Sequence, residues 1–204
     1  MSEIYLPDMV HSQFIKIGAA RVYDLDESIA ASKYPMSVNP DPKNDELTAT
    51  AVKLAQCEPC TGHDNWLCGV RVSFDMNMTP KMMVEWERYS FQDPVSSTSS
   101  MHRITKFDLD KSYCEYVDPR MIAVMKELVC QYNEDPTPEN YLKVLYSNPS
   151  GFIYRLRLST NYRQLKTMYI QRKNHKLPEW KEFTRWIESL PHSELITGPR
   201  REAV

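Results

Sequence analysis

Four dipeptides, Thr79-Pro80, Asp118-Pro119, Thr137-Pro138 and Leu177-Pro178, constrain this chain more than any other feature of its sequence. Proline inside a helix removes a hydrogen bond and clashes with the preceding turn, but at the first helical position its fixed φ already suits the helix. Each of these prolines is followed by a run with no Gly or Pro: "KMMVEWERYSF", "RMIAVMKELVCQY", "ENYLKVLY" and "EWKEFTRWIESL". Each therefore opens a helix, the first with Thr79 as its N-cap. Three of the four lie beyond residue 110, so the second half of the chain is helix-rich.

The first half reads differently. "SQFIKIGAARVYD" (12–24) predicts a strand, and "VRVSFDM" (70–76) alternates Val70, Val72 and Phe74 as a half-buried strand does. "PMSVNPDPKND" (35–45) is a polar loop, "ELTATAVKLAQ" (46–56) a short helix, and "QDPVSSTSS" (92–100) a hydroxyl-rich loop. Strands early and helices late give an α+β class. No repeat or linker divides the 204 residues, which are expected to form one domain with a sizeable core.

Composition narrows the function by exclusion. A net charge of −2 gives no electrostatic case for a nucleic-acid polymer or a membrane surface. No apolar run approaches the ~20 residues that span a bilayer, and "MSEIYLPDMV" lacks the features of a secretory signal. Five cysteines, an odd number, suit a reduced, cytoplasmic protein. Neither G-x-G-x-x-G nor a P-loop is present.

Three stretches carry candidate chemistry. "CEPCTGHDNWLC" (57–68) offers zinc-type ligands in Cys57, Cys60, His63 and Cys68, in a cramped spacing equally open to incidental thiols. "SSTSSMHR" (96–103) mixes hydroxyls with Arg103, as a phosphate site or a flexible loop would. "TNYRQLKTMYIQRKNH" (160–175) reads as a helix whose apolar stripe, Leu165 and Met168, also contains Asn161 and Arg172; Arg163, Gln164, Thr167 and Gln171 fall on the solvent side. A buried guanidinium needs a carboxylate or an anion. An internal ion pair, an emerging helix end and an anion site all satisfy Arg172.

Several of these spacings together resemble the flavin-dependent thymidylate synthases, most strongly over residues 50–190. Asn161-x-Arg163-x-Leu165 followed by Arg172 is similar to that family's late N-x-R-x-L-x6-R helix. Gly62-His63 precedes Arg88 by the family's interval between a G-H dipeptide and its R-H-R-x-x-S signature, and "VRVSFDMNMTPKMMVEWER" resembles the strand and helix between them. The resemblance implies an α+β fold with an antiparallel sheet, a homotetramer with active sites between subunits, and an enzyme. Methylenetetrahydrofolate would give a one-carbon unit to C5 of dUMP, with FAD reduced by NADPH supplying the hydride. By the same resemblance, Arg172 pairs with the nucleotide, and Ser99, Ser100, Arg103 and Glu85 complete its site. Arg88, Asn161, Arg163, His175 and His63 contact flavin, His63 also lying near folate, and no metal is required.

The sequence departs from that pattern in three places. Arg88-Tyr89-Ser90 stands for R-H-R, Glu85 for a nucleotide-binding Gln, and Leu145, with Lys143 near it, for an Arg. A Glu accepts but does not donate at neutral pH, which favours a base edge carrying an amino group. This leaves open a paralogue that hydroxymethylates dUMP or modifies dCMP. A zinc-stabilised binding module and a structural protein without ligand are the non-enzymatic alternatives.

Overall fold

The computed structural model describes residues 2–12, 14–59 and 61–198. Its centre is an antiparallel sheet built from β1 (Glu3–Tyr5), β2 (Met9–Val10), β3 (Lys16–Tyr23), β4 (Arg71–Met78), β5 (Gln92–Ser97) and β6 (Tyr154–Asn161), in the order β1-β3-β4-β6-β5, with β2 also on β3. The α+β expectation holds. Alternation along β4 buries Val72, Phe74, Met76 and Met78 and turns Arg71, Ser73, Asp75 and Asn77 to the opposite face. β6 matches it residue for residue, Phe74 facing Leu158 and Asp75 facing Arg157. On the polar face Asp75 takes both Arg155 (3.2 Å) and Arg157 (3.1 Å).

The helices are α1 (Leu25–Ala31), α2 (Ala49–Ala55), α3 (Pro80–Trp86), α4 (Ser100–Arg103), α5 (Pro119–Glu134), α6 (Pro138–Ser147), α7 (Tyr162–Arg172), α8 (Pro178–Glu188) and α9 (Glu194–Thr197). All four Pro-led helices begin at their proline, and Asp118 and Thr137 cap theirs by accepting from Arg120 and Asn140 backbone N–H groups. α8 turns Trp180, Phe183, Thr184 and Ile187 inward, the i, i+3, i+4, i+7 stripe of a helix lying on a core. Its rings meet those of the sheet and α3: Trp86 stacks on Trp180 at 5.7 Å and Phe74 lies 4.6 Å from Trp186. α5 and α6 pack on each other around a second cluster containing Ile104, Tyr113, Met125, Val144 and Phe152.

Two local expectations change. Residues 92–97 of the hydroxyl-rich loop form the edge strand β5, where Pro94 and a row of exposed hydroxyls are tolerated because one side of the strand pairs with no other strand among the described residues. The register shifts between Pro94 and Ser96, leaving Val95 bulged and exposed. The strand "YRLRLSTN" (154–161), alternating charge and leucine, went unassigned from the sequence, although it is the partner that β4 and β5 share.

The loop entering β6 is fixed by a close approach. Gly151 accepts from the Cys114 N–H at 2.9 Å, and a Cβ there would lie 2.2 Å from Val117 Cγ2 and 3.0 Å from Cys114 Sγ. Gly151→Ala is expected to destabilise the fold by about 1–3 kcal/mol through overpacking. Thermal melting of the variant checks this, and an unchanged midpoint would mean that the loop yields freely.

Candidate functional site

β6 runs directly into α7, and Asn161 is the hinge between them. It is still extended (φ −139, ψ 167) and its side chain accepts from the Gln164 N–H at 2.9 Å, making it the N-cap rather than an inward residue of the helix. The predicted helix over 160–175 therefore begins two residues late. A side chain spent on capping has less to offer a ligand, and the two roles can be separated. Asn161→Ala is expected to cost about 1 kcal/mol, whereas Asn161→Ser, which also caps, should melt close to wild type. Chemical denaturation of both variants measures the difference.

Beyond the cap, α7 buries Tyr162, Leu165, Lys166 and Met168. Its polar side was expected to face solvent; Gln171 does, Arg163 and Thr167 are half-buried, and Gln164 is buried. Arg163, Gln164, Thr167 and Gln171 form one wall of a cavity of about 460 Å³, opposite Arg88–Phe91 and Pro59. The segment after α3 packs over part of that wall: Gln164 is 6% exposed, and its Oε1 accepts from the Phe91 N–H at 3.2 Å.

Arg172 lies at the end of α7, on the cavity's edge. Its Nη1 is 2.7 Å from Glu85 Oε2, its Nε donates to the Tyr89 hydroxyl at 2.8 Å, and its guanidinium lies over the Trp180 ring at 4.9 Å. The same Glu85 oxygen accepts from Trp180 Nε1 at 3.0 Å and faces His175 Nε2 at 3.1 Å. The inward arginine thus has an internal partner, the ion-pair reading left open by the sequence, and it also borders a pocket. Tyr89, standing in the departed R-H-R position, bridges Arg172 and Gln171 through its hydroxyl.

A second charged group, missed in the sequence, anchors the opposite end of the cavity. Asp64 is 1% exposed; its carboxylate takes Lys166 Nζ at 2.8 Å and Arg163 Nε at 3.0 Å, while Lys166 also donates to the Cys57 carbonyl. Burial pulls the Arg163 guanidinium down, but Asp64 and Cys68 beside it together more than offset this, leaving it raised above its usual value. Lys166 could have been found by the reasoning applied to Arg172. It stands four residues after Tyr162, on the buried side of the helix.

The remaining candidates do not all meet. Arg88, Arg163 and Arg172 line the cavity, and Glu85 and His175 stand behind Arg172. Arg88 is exposed and has no ion-pair partner among the described residues. His63 sits on an exposed turn entered through Gly62, whose φ of 83 suits glycine, one residue before Asp64 and not among the cavity's walls. Ser99, Ser100 and Arg103 lie past the far end of β5, about 17–20 Å of strand away from Gln92. There Ser100 Oγ hydrogen-bonds the Tyr154 hydroxyl at 2.6 Å. Cys60, of the zinc-type quartet, lies outside the described residues; among those described, no group of three His, Cys, Asp or Glu side chains is placed to hold a metal.

No family model and no curated protein matches this sequence. Solved structures do. A flavin-dependent thymidylate synthase from Helicobacter pylori, complexed with FAD and dUMP, superposes over 88% of this chain and 97% of its own with a TM-score of 0.68 at 16% identity. A further structure of the enzyme from the same organism, also with FAD and dUMP, covers 86% and 93% with a TM-score of 0.65, again at 16% identity. The chain has the fold of the flavin-dependent thymidylate synthases, at a sequence distance where fold alone is shared.

Proposed function

We propose that this protein is a thymidylate-synthase-type enzyme that binds FAD and a pyrimidine deoxynucleotide monophosphate. Its reaction is one-carbon transfer from methylenetetrahydrofolate to C5 of the base, most simply dUMP to dTMP, with NADPH as reductant. The observation that carries this reading is the arginine-lined cavity along α7, in a fold whose Helicobacter pylori relative holds FAD and dUMP. Its charge balance suits phosphate groups. Arg88 has no ion-pair partner among the described residues, Arg163 and Lys166 share the single carboxylate of Asp64, and Arg172 is the guanidinium nearest Glu85. Arg88 and Arg163 would hold the FAD diphosphate through charge-assisted bonds, with Asn161, His63 and His175 at the flavin. Bound FAD supplies hydride chemistry that no side chain can.

What the chain itself contributes is position and charge. Asp64 and Lys166 fix the base of Arg163, so the guanidinium enters the cavity with little freedom left to lose on binding. Trp180 and Tyr89 cover two sides of the Arg172 guanidinium and exclude water there, strengthening its pull on a nucleotide phosphate. Ser99, Ser100 and Arg103, remote within one chain, would act in the site of a neighbouring copy, as a homotetramer working in the cytoplasm allows. Among the described residues no helix is long and apolar enough to cross a membrane. Glu85 already accepts from Arg172 and Trp180, which weakens the case for its selecting an amino-bearing base and leaves dUMP ahead of dCMP.

Purified protein should quench FAD fluorescence, and Arg88→Ala should weaken that binding roughly tenfold or more without lowering the melting temperature. Incubation with dUMP or dCMP, methylenetetrahydrofolate, FAD and NADPH, followed by mass analysis, identifies the base and whether methyl or hydroxymethyl is added. Folded protein that binds neither FAD nor dUMP, or that carries one zinc per chain, would overturn the reading.

A further inference from the structure

A second cavity, of about 570 Å³, shares no wall residue with the first. Its floor comes from the starts of α3 and α8 and its side from the turn 114–117, which is held by the Cys114 N–H to the Gly151 carbonyl (2.9 Å) and the Val117 N–H to the Cys114 carbonyl (3.1 Å). The walls are largely apolar: Val117, Leu177, Pro178 and a T-shaped pair of rings, buried Phe14 against exposed Tyr116, with centroids 6.0 Å apart at 87°. Burial pushes the Cys114 thiol up, so it adds no charge.

The rim is of opposite character. Lys81, Lys176 and Lys181 all border the opening, and among the described residues none makes an ion pair. One carboxylate lies in the walls, Glu179, and it is 3% exposed and accepts from the Thr79 hydroxyl at 2.5 Å. The first turn of α8, whose N-cap Leu177 offers no side-chain acceptor, adds the positive end of a helix dipole to the same floor. Some lysines elsewhere do have acidic partners, as Lys111 has Asp108, Lys126 has Asp110 and Lys143 has Glu139. Three unneutralised ammonium groups around one apolar hollow repel one another, and an anion between them removes that repulsion.

We propose that this cavity is a second ligand site, separate from the arginine-lined one, which takes a small molecule with an aromatic body and an anionic head. The body lies against Phe14 and Tyr116 and the head reaches the three lysines. The volume is in the range of small-molecule sites, and apolar walls with a few convergent polar groups are their usual construction.

Naphthyl phosphate is a suitable probe, with naphthol and inorganic phosphate as its halves, each titrated calorimetrically into the whole protein. One equivalent of naphthyl phosphate should bind with a dissociation constant below about 100 μM, and each half at least tenfold more weakly. The double variant Lys81→Ala, Lys181→Ala should lose roughly tenfold or more in affinity, Lys→Arg at both positions should restore it, and Tyr116→Ala should weaken it several-fold. Arg88→Ala, and saturation with FAD and dUMP, should leave it unchanged, so the result stands whether or not the flavin reading holds. All three positions are exposed, so the variants should fold, and circular dichroism verifies this. No binding, equal binding of either half, or binding that follows Arg88 rather than the lysines would overturn the proposal.

Discussion

Asp64→Ala should lower the stability of this protein by about 3–5 kcal/mol, a fall in melting temperature on the order of 10 °C for a chain of this size. The cause is what the substitution leaves behind. Lys166 is 3% exposed on the buried side of α7, and Asp64 is its only carboxylate partner among the described residues. Without it, an ammonium is left inside the protein with the Cys57 carbonyl alone. Arg163, with over a quarter of its side chain exposed, can turn to water and loses less. Removing the ammonium as well should therefore recover most of the loss: Asp64→Ala combined with Lys166→Met should be more stable than Asp64→Ala, because a buried pair exchanged for apolar groups is often nearly neutral. Thermal melts of the two single variants and the double form the cycle. Strictly additive losses would mean that the two charges do not depend on each other.

The second large effect concerns Arg172 and separates its two roles. Arg172→Lys keeps a cation near Glu85 but loses the planar fork that can meet a phosphate while stacked on Trp180. It should bind dUMP more weakly by ~10- to 150-fold, the equivalent of one charge-assisted bond of ~1.5–3 kcal/mol. Glu85→Gln should act in the opposite direction. It removes the carboxylate that competes for the guanidinium, so dUMP should bind several-fold more tightly to a protein whose ligand-free form is less stable. Calorimetric titration with dUMP, paired with melting curves, reads both. If Arg172→Lys binds dUMP like wild type and only melts earlier, Arg172 is a structural partner of Glu85 and its role in nucleotide binding is lost.

The sequence determined by itself whatever depends on neighbours along the chain. Proline at the first turn fixed where α3, α5, α6 and α8 begin, because that rule involves only the proline ring and the preceding turn. Alternation placed β4, and the inward Arg172 was legible because a guanidinium on an apolar stripe always needs a partner. The tertiary structure alone decided which partner it has. Glu85 is 87 residues away, and nothing local distinguishes it from Glu87 as the acceptor. The same holds for Asp64 and Lys166, 102 residues apart. β5 was hidden for a related reason: as an edge strand with one unpaired side it keeps polar residues and a proline that a central strand would exclude, so its pattern looked like a loop until β6 lay beside it. The polar face of α7 shows the limit most plainly. Periodicity found that face but could not tell solvent from a cavity wall, since both accept Arg, Gln and Thr, and only the fold of residues 88–91 beside the helix made it a cavity wall.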